Sequence, residues 1–164
     1  CSCGHKRIAF ITSRDEGLGR CHLNGYKRAL EKNGLEYDEK LIIRLKPAKR
    51  IYTIENGYNC TCELLKSGVD FSCIYAISDT LAVGACRAII DSGKRVPEDY
   101  CVAGADGQDI AEYYHPSITT LKYPRVETAQ QSVRTLFDMI DRKKVVKRQI
   151  LGGTLIERES TRKL

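Results

Sequence analysis

The chain has 164 residues, of which 42% are hydrophobic and 29% charged, and its net charge is +6. That length suits one domain with its own core, and that composition excludes a wholly disordered chain. Its longest apolar runs, such as residues 8–11, are too short to cross a bilayer, and a modest positive charge permits nucleic-acid contact without predicting it.

Taken in chain order, Arg7-Ile8-Ala9-Phe10-Ile11, closed by Thr12-Ser13, predicts a first strand. Leu23, Tyr26 and Leu30 recur at helical spacing, with Gly34 placed to end the helix. Leu41-Ile42-Ile43 predicts a second strand, and Ile54, Tyr58, Cys62 and Leu65 form a helical stripe ending before Gly68. Residues 72–77 predict a third strand. Asp79 then stands at an N-cap position before the helix face of Leu81, Ala85, Ala88 and Ile89, closed by Gly93. Residues 100–104 and 118–121 predict two more strands. Val126, Ala129, Val133, Leu136, Phe137 and Ile140 make the clearest amphipathic helix, and Gly152-Gly153 separates two short apolar pairs. Alternating strands and helices predict an α/β fold: an open parallel sheet with helices on both faces.

The beginning of the chain, Cys1-Ser2-Cys3-Gly4-His5-Lys6-Arg7, has no basic-then-apolar signal order and no initiator Met. The expectation is therefore a cytoplasmic piece of a longer protein. Eight cysteines raise a disulfide framework or a metal site. Nothing indicates export to an oxidising compartment, which also sets aside the glycosylation pattern Asn59-Cys60-Thr61. The pairs Cys1/Cys3 and Cys60/Cys62 have one intervening residue rather than two, and residues two apart on a helix diverge. No metal is expected, and Cys73, Cys86 and Cys101 read as small core residues. The basic runs 44–50 and 142–148 lack interleaved aromatics and read as solvated surface. Phosphate-binding glycine loops, nucleophile elbows and zinc-protease motifs are absent, and His5, His22 and His115 are scattered, so neither an enzyme nor a cofactor is expected.

In open parallel sheets, ligands sit beyond the carboxyl ends of the strands. That rule selects Ser13, Arg14 and Asp15 after the first strand, Ser78 and Asp79 after the third, Asp106 after the fourth and Tyr123 after the fifth. Hydroxyls, carboxylates, a guanidinium and an aromatic ring suit a small polyol or sugar, because carboxylates accept hydroxyl hydrogen bonds and a ring packs on an apolar sugar face.

Six segments, in order, resemble the effector-binding region of lactose-repressor-type (LacI/GalR) bacterial transcriptional regulators. They are residues 4–11, Asn24-Gly25-Tyr26-Lys27-Arg28-Ala29-Leu30, residues 78–85, residues 96–106, Pro116-Ser117-Ile118-Thr119-Thr120-Leu121 and Glu157-Arg158-Glu159-Ser160-Thr161. The resemblance implies a type I periplasmic-binding-protein-like lobe. Residues 1–122 would be the C-terminal lobe and 123–151 a helix and strand remnant of the N-terminal lobe. Residues 152–164 would return to the C-terminal lobe through a hinge at Gly152 and Gly153, and the helix-turn-helix would be absent. Asp106 matches the family's sugar-binding aspartate, Ser78 stands at its usual Asn, and Asp79 is either helix cap or ligand contact. Tyr52 falls where an aromatic stacks on the effector in some members, or is a helix-entry residue, and Tyr123 matches a cleft-facing crossing-strand position. His22 replaces the family's ligand-binding Arg, and Arg14 is a candidate source of the missing guanidinium. Ala105 and Gly107 replace an aromatic residue and a second Asp. Val83, Tyr113 and Tyr114 fall on the family's dimer surface, with packing inside one chain as the alternative.

The resemblance implies a ligand-sensing homodimer module that binds a sugar-like effector and meets DNA only through the helix-turn-helix, with no membrane partner. A solute-binding protein of a sugar uptake transporter is the alternative. The apolar face of the helix at 126–140 is expected to need a partner, such as a second chain.

Overall fold

In the computed structural model, residues 3–14, 17–47 and 49–163 are described, so that Cys1 and Asp15 lie outside the described residues. The elements alternate as expected, with one short unexpected helix, α4, between the fourth and fifth strands: β1 (Ile8–Thr12), α1 (Gly17–Lys32), β2 (Ile42–Arg44), α2 (Ile54–Lys66), β3 (Cys73–Ala76), α3 (Asp79–Asp91), β4 (Cys101–Asp106), α4 (Asp109–Tyr113), β5 (Thr119–Lys122), α5 (Arg125–Ile140) and β6 (Thr154–Ile156). They build one sheet in the order β2-β1-β3-β4-β5-β6. The first five strands are parallel, and β6 pairs antiparallel with β5.

Both faces of the sheet are covered, which is why its central strands read as unbroken apolar runs. Tyr26 of α1 stacks on Phe10, which stacks in turn on Tyr75, and the Tyr26 hydroxyl donates to the Ile8 carbonyl at 2.7 Å. Phe10, Tyr75 and Ala103 share a register row, so Gly104 points to the opposite face. There it meets the Asp79 and Ala82 side chains of α3. Buried Cys73, Cys86 and Cys101 lie in the strands and α3 as expected of small core residues.

Two local departures have clear causes. Leu41 belongs to a 3-10 turn (Glu39–Leu41) rather than to β2, because the Asp38 carboxylate accepts from the Lys40 amide at 3.0 Å and closes that turn. On α2 the buried line is Gly57, Thr61 and Leu64, one position off the expected stripe, and Ile54 is exposed. Gly57 sits against the Leu81 backbone and Gly84 of α3 against the Ile54 carbonyl, so the two helices meet backbone to backbone.

α5 has no buried residue. The strand expected within the 123–151 remnant does not form: after α5 the chain up to Leu151 has no ladder partner among the described residues, and Ile150 is 79% exposed. After Gly153 the chain returns to the sheet as β6. The Ser160 amide then donates to the Ser117 carbonyl at 2.9 Å, and its hydroxyl to the Val102 carbonyl at 2.6 Å.

Candidate functional site

The carboxyl ends of β3, β4 and β5 bring Ser78, Asp79, Asp106 and Tyr123 to one edge of the sheet. Ser78 caps α3: its side chain accepts from the Leu81 amide at 3.3 Å and shares a 3.0 Å contact with the Thr80 hydroxyl. The helix cap is thus Ser78, not Asp79, which is the first helical residue. The reason is direction: the Asp79 carboxylate turns away from its own helix and into the sheet. It accepts the Gln108 amide at 2.7 Å and the Thr120 hydroxyl at 2.5 Å, and it is 0% exposed. Burial pushes its pKa up and the nearby Asp106 adds to this, while the Thr120 and Gln108 hydrogen bonds pull the other way.

Asp106 ends β4 at φ 109, a left-handed conformation that a non-glycine residue rarely adopts. Gln108 Nε2 donates to its Oδ2 at 2.9 Å, and Arg125 Nη2 donates to its carbonyl at 2.9 Å. Gly107 follows at φ 67, where a Cβ would press on the Lys122 backbone and side chain. The loop amides therefore close tightly around β5, with Gly107 N donating to Thr120 Oγ1 at 3.2 Å. The half-buried Tyr123 ring lies in the same electrostatic neighbourhood. Its hydroxyl pKa is raised by burial and then by Asp106 and Asp79. Tyr75 is pushed up to about 12, by burial first and then by Tyr123, Asp106 and Asp79. Both phenols stay protonated and can donate. Asp106, Tyr123, Lys122, Arg125 and Thr154 line an open cleft of about 670 Å³.

The remaining candidates sit around this centre. Tyr52 is 45% exposed ahead of α2, and its carbonyl accepts from the Thr80 hydroxyl at 3.2 Å, which links it to the Ser78 cap. His22 lies in α1, half-buried, and its Nδ1 has no hydrogen-bond partner among the described residues. The same holds for Thr12 Oγ1 at the carboxyl end of β1, on the face that α1 covers. Arg14 is exposed, and no hydrogen bond among the described residues ties it to Asp106. Gln108, Thr120, Tyr75 and Arg125 were not selected from the sequence. Gln108 stands two residues beyond Asp106, Thr120 lies in the Thr119-Thr120 pair of the fifth strand, and Tyr75 in the apolar run of the third.

Two further expectations change. Val83 is 3% exposed and belongs to the core, which removes it from any surface a partner can touch, whereas Tyr113 is 82% exposed and Tyr114 half-buried. Of the two hinge glycines, a Cβ on Gly152 would meet nothing, but one on Gly153 would crowd Leu121 and the Lys122 carbonyl at 3.1 Å. Gly153 serves close approach to β5, and neither glycine needs a positive φ.

The profile of the periplasmic binding protein-like domain family matches residues 2–161. The HTH-type transcriptional regulator MalR of Clostridium butyricum is 40% identical over 146 residues, covering 89% of this chain and 42% of MalR. A sugar-binding LacI-family regulator from Escherichia coli, solved in complex with phosphate, superposes with a TM-score of 0.89 at 34% identity, over 99% of this chain and 57% of that one. The CelR regulator in complex with cellobiose superposes at 0.86 and 34% identity, over 97% of this chain and 48% of that one. The chain spans less than half the length of the curated relatives it matches. By profile and by structure, the chain belongs to the periplasmic binding protein-like domain family, and its relatives are LacI-type transcriptional regulators.

Proposed function

We propose that this chain is the effector-binding, dimerising module of a LacI-type cytoplasmic transcriptional regulator, and that its effector is a small sugar or related polyhydroxylated metabolite. The observation that carries this reading is Asp106, presented at the carboxyl end of β4 in a left-handed turn beside the Tyr123 ring. A fixed carboxylate accepts two sugar hydroxyls, and a protonated phenol donates to a third oxygen. In this reading residues 1–122 and 152–164 form one lobe and α5 belongs to a second. The effector binds between them and favours one closure, and its differential affinity for the two states biases a helix-turn-helix outside these residues. Tyr113 and Tyr114 are the residues offered to a second copy. The regulatory relatives favour this reading over uptake transport, and no chemistry is assigned to the chain.

Calorimetry of the full-length regulator against a sugar panel that includes cellobiose is the test. Asp106→Ala is expected to weaken the responding sugar at least tenfold, the scale of losing a hydrogen bond to a charged group. Unchanged affinity would remove Asp106 from the site.

A further inference from the structure

We propose that Arg125 is the positioning residue of the effector site, acting through the backbone of Asp106. This rests on the reading of Asp106 as an effector contact. Left to itself, a non-glycine residue leaves φ 109 for the ordinary extended region, which swings its side chain away. Something must hold it. On the side-chain end, Gln108 Nε2 donates to Oδ2, and the loop that follows is tied down through its amides, Gly107 N to Thr120 Oγ1 and Gln108 N to the Asp79 carboxylate. Those amide bonds hold residues 107 and 108; the Asp106 carbonyl itself is held by Arg125, whose Nη2 donates to it at 2.9 Å across 19 residues of chain. The β4–β5 ladder cannot do this alone, because its register ends at Asp106 opposite Lys122. Gly107 then leaves the ladder at φ 67, packed onto Lys122.

The position of Arg125 adds a second consequence. It is the first residue of α5, a helix with no buried residue. The helix is thus joined to the site's carboxylate residue by a charge-assisted hydrogen bond rather than by core packing, and a displacement of α5 is transmitted to the turn at Asp106. A guanidinium suits this role, because its long stem and planar fork of N–H donors reach the carbonyl in a fixed direction.

Two measurements test it. In the ligand-free chain, NMR should show the strong intraresidue amide–Hα contact of a positive φ at Asp106. Arg125→Lys, which keeps a charged donor, should retain that contact, and Arg125→Ala should lose it. Its persistence in Arg125→Ala would overturn the proposal, because the turn would then hold itself. The second measurement is a double-mutant cycle on sugar affinity in the full-length regulator. Arg125→Ala should weaken the responding sugar about tenfold when Asp106 is present and have no further effect in Asp106→Ala. Additive losses would overturn the positioning role. Retained binding in Asp106→Ala, or no response to any sugar, counts against the effector-site reading instead and leaves the NMR result to decide Arg125.

Discussion

Asp79 carries an electrostatic conflict that a single substitution makes measurable. Burial disfavours its charged form, while the Gln108 amide and the Thr120 hydroxyl favour it; burial wins, and the folded pKa lies above the unfolded value. The folded state therefore holds the proton more tightly than the unfolded chain. The stability that Asp79 contributes is full below an unfolded carboxyl pKa of about 3.9 and is lost as pH rises through the folded value. Asp79→Asn replaces one acceptor oxygen by an amide donor that faces another donor. The expected cost is about 1–3 kcal/mol. Because asparagine does not titrate, the margin of the native chain over Asp79→Asn should be larger near pH 4 than at pH 7 when unfolding is followed by urea at both. A margin that widens towards pH 7 would mean that the hydrogen bonds outweigh burial. The residue was visible in the sequence as a polar group after a strand, but not its use. Asp and Ser both suit N-caps, and the choice between Ser78 and Asp79 depends on where Thr120 lies, 41 residues further on.

Elements were legible wherever hydrophobicity alone decides them, and blurred wherever backbone contact decides. The runs that became β1, β3 and β4 are apolar because both faces of the sheet are covered, so their existence followed from composition. The stripe on α2 was displaced because hydropathy gives glycine no weight, although Gly57 and Gly84 set how closely α2 approaches α3. A Cβ on Gly84 would strike the Ile54 carbonyl and come within 2.6 Å of the Tyr58 amide nitrogen, both of them backbone atoms with no rotamer to change. Gly84→Ala should therefore cost about 1–3 kcal/mol by forcing the helices apart. Gly25, inside α1 with open space around its Cβ position, is the control. Gly25→Ala should stabilise by about 0.5–1 kcal/mol through helix propensity. Urea denaturation of the two variants should move the midpoint in opposite directions, and a neutral Gly84→Ala would refute the close crossing. β6 and the missing strand of the 123–151 segment were beyond this kind of reading. A three-residue exposed strand is defined by its partner β5, and a segment with no partner forms no strand, whatever its side chains.

For the whole molecule, the unequal halves of the chain dictate how it behaves in solution. The sheet and its helices bury their apolar residues, whereas α5 presents Val126, Val133, Leu136, Phe137, Met139 and Ile140 to solvent, with Phe137 at 61% exposure. Residues 146–151 run beside it and leave an open groove of about 750 Å³. Under the two-lobe proposal that face belongs to a second lobe, and in these 164 residues nothing described covers it. A contiguous apolar surface of this kind drives association. The 164-residue chain should therefore sediment as a concentration-dependent mixture above its 18.5 kDa mass. Phe137→Glu combined with Ile140→Glu should return it to a monomer. Neither side chain touches the core around Phe10, Ile74 and Leu81, so the unfolding free energy of the sheet should change by less than about 0.5 kcal/mol, the usual range for a surface substitution. A native chain that stays monomeric at every concentration would show that α5 needs no partner. A double substitution that unfolds the sheet would show instead that α5 is part of its core, and the division of the chain at residue 123 would fall with it.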